Sequence, residues 1–160
     1  MNAPEVLENS HQLVIQSLED LPEAEWDITG VSGDWSVKDV LALLTAYEQA
    51  LVDVINTFLG EKPTAYMLSL FNTPAEFNAE AIKARRYHTA QQVLMEYQDL
   101  QVQSTSLLTR IPPETVEQKG AMPWYKSEQS LADVIDAFST YTRDLCARIV
   151  QFREVRKASK

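Results

Sequence analysis

The residues able to do chemistry in this chain of 160 residues are few and scattered. Glu48 comes first. Counted from Leu44 to Leu51 and Ile55, it falls in or beside the apolar stripe of a helix. A carboxylate there needs a partner, or desolvation raises its pKa. Two roles fit such an acid. One is a general base or polar anchor in a cavity at the bundle end. The other is a hydrogen-bonded packing acid, and it is preferred because structural ion-pair networks perturb carboxylates as well. Arg143 on the last helix, or a Lys or Arg of the third, is the expected partner. A second group is aromatic: Tyr47, Trp35, Trp124, Tyr125 and Tyr141. Small-molecule pockets combine aromatic walls with a few polar tips, whereas aromatics at helical spacing are more often core. Trp35 is expected to anchor the start of the second helix. Cys146, the single cysteine, has no histidine nearby in sequence and neighbours Asp144 and Leu145. An inert, half-buried thiol is the expectation.

The exclusions are broader than the candidates. One cysteine rules out an internal disulfide and a Cys-based zinc cluster. No Ser/His/Asp arrangement, glycine-rich phosphate loop or metal motif is present. The histidines are His11 and His88. His11 borders the stripe of the first helix and reads as a helix-surface or boundary residue rather than a ligand. A formal net charge of −9 repels a phosphate backbone, so no nucleic-acid partner is expected. No apolar run approaches the roughly 20 residues that span a bilayer, so no membrane partner is expected either. Met1-Asn-Ala-Pro-Glu5 lacks the charge and apolar core of a signal peptide, which makes the cytoplasm the expected location. The basic cluster from Arg153 to Lys160 follows a helix C-terminus, where cations complement the dipole, and reads as a solvated helix end.

The elements that must position these residues are helical. Apolar residues make up 45% and charged residues 23%, as in an ordinary globular domain that buries a core without disulfides or metal. A first helix over about residues 4–20 is capped by Asn2 and carries Val6, Leu7, Leu13, Val14 and Leu18 on one face. A loop tethered by Trp26 leads to Ser36, which caps a second helix with Asp39 as its capping-box partner. Its stripe is Val37, Val40, Leu41, Leu44, Leu51, Ile55 and Phe58, ending at Gly60. Residues 61–73 read as a crossover apolar enough to pack back on the body. Thr73-Pro74-Ala75-Glu76 starts another helix, which breaks near Arg86–His88. Thr89 and Gln92 then cap a long third helix bearing Val93, Leu94, Tyr97, Leu100, Leu107 and Leu108, stopped by Pro112-Pro113. A second connection, 112–129, carries Met122-Pro-Trp-Tyr125. Ser130 and Asp133 cap a last helix with Leu131, Val134, Ile135, Phe138, Leu145, Ile149 and Phe152 inward. Four amphipathic helices and two longer connections predict an all-α four-helix bundle: one domain over 1–153, then a basic tail over 154–160.

Trp35-Ser-Val-Lys-Asp-Val-Leu-Ala42 followed by Leu44-Thr-Ala-Tyr-Glu48 resembles the second-helix signature of the DinB-like superfamily, which includes the maleylpyruvate-isomerase-like bundles. Phe77-Asn78, the segment from Arg85-Arg86 to Val93-Leu94, and Pro123-Trp124-Tyr125 resemble its ClbS/DfsB group. The resemblance implies an up-down-down-up bundle and a homodimer. It also implies a metal held by one histidine of the second helix and two, four apart, of the last. Those positions correspond to Leu43, Tyr141 and Leu145, where a leucine offers no lone pair and a lone tyrosine is a poor ligand. No metal and no cofactor is therefore expected, and a metal-dependent hydrolase or thiol transferase, the activity that the resemblance would otherwise imply, ranks last among the functions because it requires a bound metal. Members of the ClbS/DfsB group include a resistance protein that inactivates a reactive genotoxin. The implied class of function is the binding or inactivation of a small organic molecule, in a pocket between the second and last helices formed by Leu43, Tyr47, Glu48, Trp124, Tyr125, Tyr141 and Leu145. The alternative is a dimeric structural or interaction module without chemistry.

Overall fold

The computed structural model describes residues 1–125 and 128–159. Among them the chain forms α1 (Ala3–Leu18), α2 (Val37–Thr57), α3 (Ala65–Asn72), α4 (Pro74–Ala84), α5 (Ala90–Leu108), α6 (Pro113–Val116) and α7 (Leu131–Ala158). No strand is formed among the described residues, only an isolated bridge between Ser32 and Trp35 ahead of α2. The long helices start where their caps predict. Asn2 Oδ1 accepts from the Glu5 N–H at the head of α1. Ser36 with Asp39, Thr89 with Gln92, and Ser130 with Asp133 each form a reciprocal capping box. Gly60, with φ +101°, takes the left-handed turn that leads the chain away from α2.

The contacts give the directions of the long helices. Ser10 meets Ser139 at 2.9 Å, and Arg153 reaches Gln16 further along both helices, so α1 and α7 run together. Lys38 Nζ donates to the Arg86 and His88 carbonyls just ahead of α5, and Ser104 meets Glu48 further on, so α2 and α5 run together. Tyr47 lies on Tyr141, while Arg148, later in α7, reaches back to Ser32 ahead of α2, so α2 and α7 are opposed. The order is up-down-down-up. In the bundle α2 packs on α5 and α7, and α1 packs on α7 and α5.

Between Val37 and Ile55 every residue of α2 is buried except Asp39, Tyr47, Gln49 and Asp53. Such a helix needs cover on its outer side too. The cover is the apolar crossover, which packs back on the body as expected but is helical rather than irregular: 61–73 contains α3, and α3 and α4 both pack across α2. Thr64 caps α3 by accepting from the Met67 N–H, and buries Met67 and Leu70. The other connection, 112–129, contains the short α6. It also includes Lys126 and Ser127, which lie outside the described residues.

The basic C-terminal residues are not a free tail. α7 continues through Ala158, and its last turns close the bundle end (Lys160 lies outside the described residues). Arg153 Nη1 donates to the Gln16, Ser17 and Glu19 carbonyls at 3.1, 3.2 and 3.0 Å. These are carbonyls at the C-terminus of α1, where intrahelical donors run out, although the Gln16 carbonyl also accepts from the Glu19 N–H at 3.2 Å. Arg156 pairs with Glu25 at 2.7 Å, and Lys157 with Asp20 at 3.4 Å. Charged donors on helix-end carbonyls are worth more than exposed ion pairs. Arg153→Ala is therefore expected to lower stability by about 1–3 kcal/mol, with Arg153→Lys intermediate because an ammonium cannot reproduce the guanidinium's reach. Urea denaturation checks this, and a loss of only a few tenths of a kcal/mol for Arg153→Ala would show that α1 needs no such clamp.

Candidate functional site

Glu48 sits inside the bundle, 8% exposed, with His11 at 2% and Ser104 at 0%. His11 Nε2 donates to Glu48 Oε2 at 2.9 Å, and the Ser104 hydroxyl donates to the same oxygen. Three helices, α1, α2 and α5, thus meet at one carboxylate. Tyr97 of α5 presents its ring edge-on to His11, with centroids 6.2 Å apart. Burial holds the Tyr97 phenol well above its ordinary pKa, and the nearby Glu48 carboxylate adds to the effect. No buried side-chain nitrogen or oxygen among the described residues lacks a hydrogen-bond partner.

Two expectations are corrected here. The partner of Glu48 is neither Arg143 nor a basic residue of the third helix; it is His11, with Ser104. His11 is not a surface residue, because Leu7, His11, Val14 and Leu18 share one buried face of α1. The order of the cluster also limits its chemistry. In a hydrolytic triad the imidazole stands between hydroxyl and carboxylate, so that it can take the hydroxyl proton. Here the carboxylate stands in the middle, and the serine proton is committed to it. The adjoining cavity, walled by Leu51, Tyr97 and Ile135 among others, has a volume of about 20 Å³. That is room for one water, not for a substrate.

The predicted pocket does not assemble around the second and last helices. Leu43 and Leu145 are core residues, and a filled interior surrounds them. Only Tyr47 and Glu48 of the seven candidates border the small cavity. Tyr47 and Tyr141 stack at 4.9 Å, and their hydroxyls hydrogen-bond each other. Tyr47 Oη then donates to Asn78 Oδ1 at 3.1 Å, joining α7, α2 and α4. Burial raises both phenols above their ordinary pKa. Trp124 and Tyr125 stack on each other and meet Phe71 at tilted angles, with centroids 4.9–5.6 Å apart. These rings are half-buried and form a wall along the outside of the bundle rather than a lining within it.

The donor set at the metal position does not fit a metal. Leu43 and Leu145 offer no lone pair, and the Tyr141 hydroxyl is engaged by Tyr47. Nor is there any group of three His, Cys, Asp or Glu among the described residues placed to hold an ion. Cys146 is buried, its thiol pushed up to about 11 by desolvation against a weaker lowering by Ser17, which makes it a poor nucleophile.

The aromatic wall continues to a feature that its residue spacing did not announce. Phe77 meets Tyr47 at 5.6 Å on one side and Tyr66 at 5.2 Å on the other. Tyr66 and Phe77 then border a groove of about 410 Å³ between α3 and α4. Arg85 lies at its inner end, bound to Glu96 by two bonds of 2.9 and 3.0 Å and to the Ala81 carbonyl at 3.1 Å. It also hydrogen-bonds the Tyr66 hydroxyl. The groove exists because residues 65–72 are helical, and reading them as a crossover hid it.

A family model for the DinB superfamily matches residues 7–140, and the chain belongs to that superfamily. No curated protein matches the chain, and no solved structure does. No helix among the described residues is long and apolar enough to cross a membrane.

Glu48→Ala leaves His11 and Ser104 buried without their acceptor and is expected to cost about 2–5 kcal/mol. Removing the whole cluster, with His11→Leu, Glu48→Leu and Ser104→Ala together, is expected to recover most of that loss, because an apolar replacement leaves nothing unpaired. Chemical denaturation of the single and triple variants checks both, and a triple variant no more stable than Glu48→Ala would refute the assignment.

Proposed function

We propose that this DinB-superfamily chain is a metal-independent bundle of the ClbS/DfsB type that binds a small organic molecule, and that it does so in the groove between α3 and α4. The observation that carries this reading is a filled interior beside a groove of about 410 Å³. That volume falls in the range of small-molecule sites, whose walls are mostly apolar and aromatic. Tyr66 and Phe77 supply such a wall, and Ser69, Thr73 and the Tyr66 hydroxyl supply polar tips. Other surface depressions fit less well. The one beside the end of α7, about 570 Å³, is rimmed by groups already engaged, Arg148 with Asp144 and Ser32, and Arg156 with Glu25. The one between α1 and α7 is walled largely by hydroxyls and amides such as Asn9, Ser10, Ser139 and Thr140.

The proposed activity is binding. Neither Glu48 nor Cys146 reaches this groove, and no reacting group is assigned within it. The exposed groove residue Ala84 provides the test. Ala84→Trp should fill the groove while leaving stability within about 0.5 kcal/mol, as surface changes do. In a fragment screen followed by amide chemical shifts, hits on the wild type should perturb residues 65–85 and should be lost in Ala84→Trp. Hits confined to other surfaces would overturn the assignment.

A second reading, a homodimeric interaction module without a ligand, is favoured by one observation. Met95 and Val102, two turns apart on α5, are both exposed. Apolar side chains repeated along one helix face are what a partner helix covers. Under this reading Met95→Glu with Val102→Glu converts a dimer to a monomer in sedimentation velocity. A monomeric wild type at micromolar concentration would remove it.

A further inference from the structure

We infer that the occupant of the α3/α4 groove is an organic cation, an ammonium group carried on an apolar or aromatic body; this rests on the ligand-binding reading above and narrows its chemistry. The charges around the groove are asymmetric. Glu76 and Glu80 lie on its α4 side, one helical turn apart, and both are exposed. No ion pair engages either of them among the described residues. Like charges at this helical spacing repel and destabilise the helix slightly. A cation between them relieves that cost.

The one cation that borders the groove is already committed. Arg85 is nearly buried, and its Nε and Nη2 both go to Glu96 while Nη1 goes to the Ala81 carbonyl. An arginine whose fork is filled by a carboxylate has little left to offer an anionic ligand. With Arg85 balanced by Glu96, the two glutamates leave the groove negative, in a chain whose formal charge is −9. Anions are repelled and cations drawn in.

The apolar wall fits the same ligand. Tyr66 is more than a third exposed and stands against Phe77 at 64° between ring planes. An ammonium over the exposed Tyr66 face gains from the ring quadrupole, and the body of the molecule lies along the groove over the Tyr66 ring and exposed Ala84, with Phe77 and Ala81 buried beneath as its floor. The Tyr66 phenol is neutral at neutral pH, as any phenol near its ordinary value is, and burial raises it further, so the ring presents a π face rather than a phenolate.

The test uses the full chain without an affinity tag and three probes of similar size: 2-phenylethylammonium, 2-phenylethanol and 3-phenylpropanoate. Titrations are followed by amide chemical shifts. The expected result is saturable perturbation of residues 65–85 by the ammonium, about tenfold tighter than by the alcohol, and none by the carboxylate. Glu76→Gln and Glu80→Gln, both at exposed positions, should each weaken the ammonium by about threefold and leave the alcohol unchanged. Alcohol or carboxylate binding at least as tight as the ammonium would overturn the cation assignment while leaving a ligand site in place. No perturbation of 65–85 by any of the three would overturn both readings.

Discussion

The register of the bundle depends on one carboxylate. Glu48 draws a ring nitrogen from α1 and a hydroxyl from α5 to a single oxygen, in a setting where none of the three groups can turn to bulk water. Burying a charge-bearing group without partners is far costlier than burying it with them. A one-turn slip of any of these helices moves its polar residue by about 5.4 Å and breaks a bond. The apolar residues around the cluster would tolerate such a slip much better, since a leucine surface matches itself at several offsets. The polar contact is what makes one alignment the favoured one. α7 takes no part in the cluster, and its alignment comes from elsewhere: Ser139 on Ser10, Arg148 on Ser32 and Arg153 on the end of α1.

That internal anchoring has a consequence for where a ligand can sit. With Leu43 and Leu145 at the positions where relatives are expected to carry ligating histidines, the interior closes over as ordinary aliphatic packing. Fully burying each leucine contributes roughly 1.5–3 kcal/mol. The volume left beside Glu48 suits a water molecule. Space for anything larger lies on the surface, and the depression walled by aromatic rings is the one formed where α3 and α4 pack across α2. Phe77 belongs to both regions, since it packs toward Tyr47 and the core and also borders the groove.

Of the polar cluster only Glu48 is legible in the sequence. His11 falls between Leu7 and Val14, Glu48 between Leu44 and Leu51, and Ser104 between Leu100 and Leu108. Each occupies a seam position of its own helix by the spacing of apolar residues recurring every three or four. Glu48 stood out because a carboxylate in a stripe is conspicuous. Histidine and serine are common enough at helix surfaces that His11 beside its stripe reads as a boundary residue and Ser104 does not stand out, and nothing in one helix indicates which residue of another it meets. The caps were legible because they are local: Ser36, Thr89 and Ser130 each satisfy donors within their own first turn. α3 was not, because Glu61 to Pro63 and Thr73-Pro74 confine it to eight residues, too short for periodicity to register. Thr64, its cap, carried the signal. The basic end of α7 misled for a related reason. A charged last turn looks solvated on its own, and only the folded chain brings the α1 carbonyls to Arg153.

The protonation states fit the binding role proposed above. A side-chain nucleophile working at neutral pH needs its pKa lowered or a base beside it. Burial pushes the other way at Tyr47, Tyr66, Tyr97 and Tyr141, and lifts Cys146 to about 11. The Ser104 proton is held by a carboxylate rather than an imidazole, in a space without access for a substrate. The groups best placed to react are therefore the ones most firmly tied to packing. The groove differs in one respect: Glu76 and Glu80 on its rim are exposed and make no ion pair among the described residues, and Tyr66 beside them is more than a third exposed. Such a surface can hold a molecule by complementary charge and stacking without transforming it, which suits capture better than turnover.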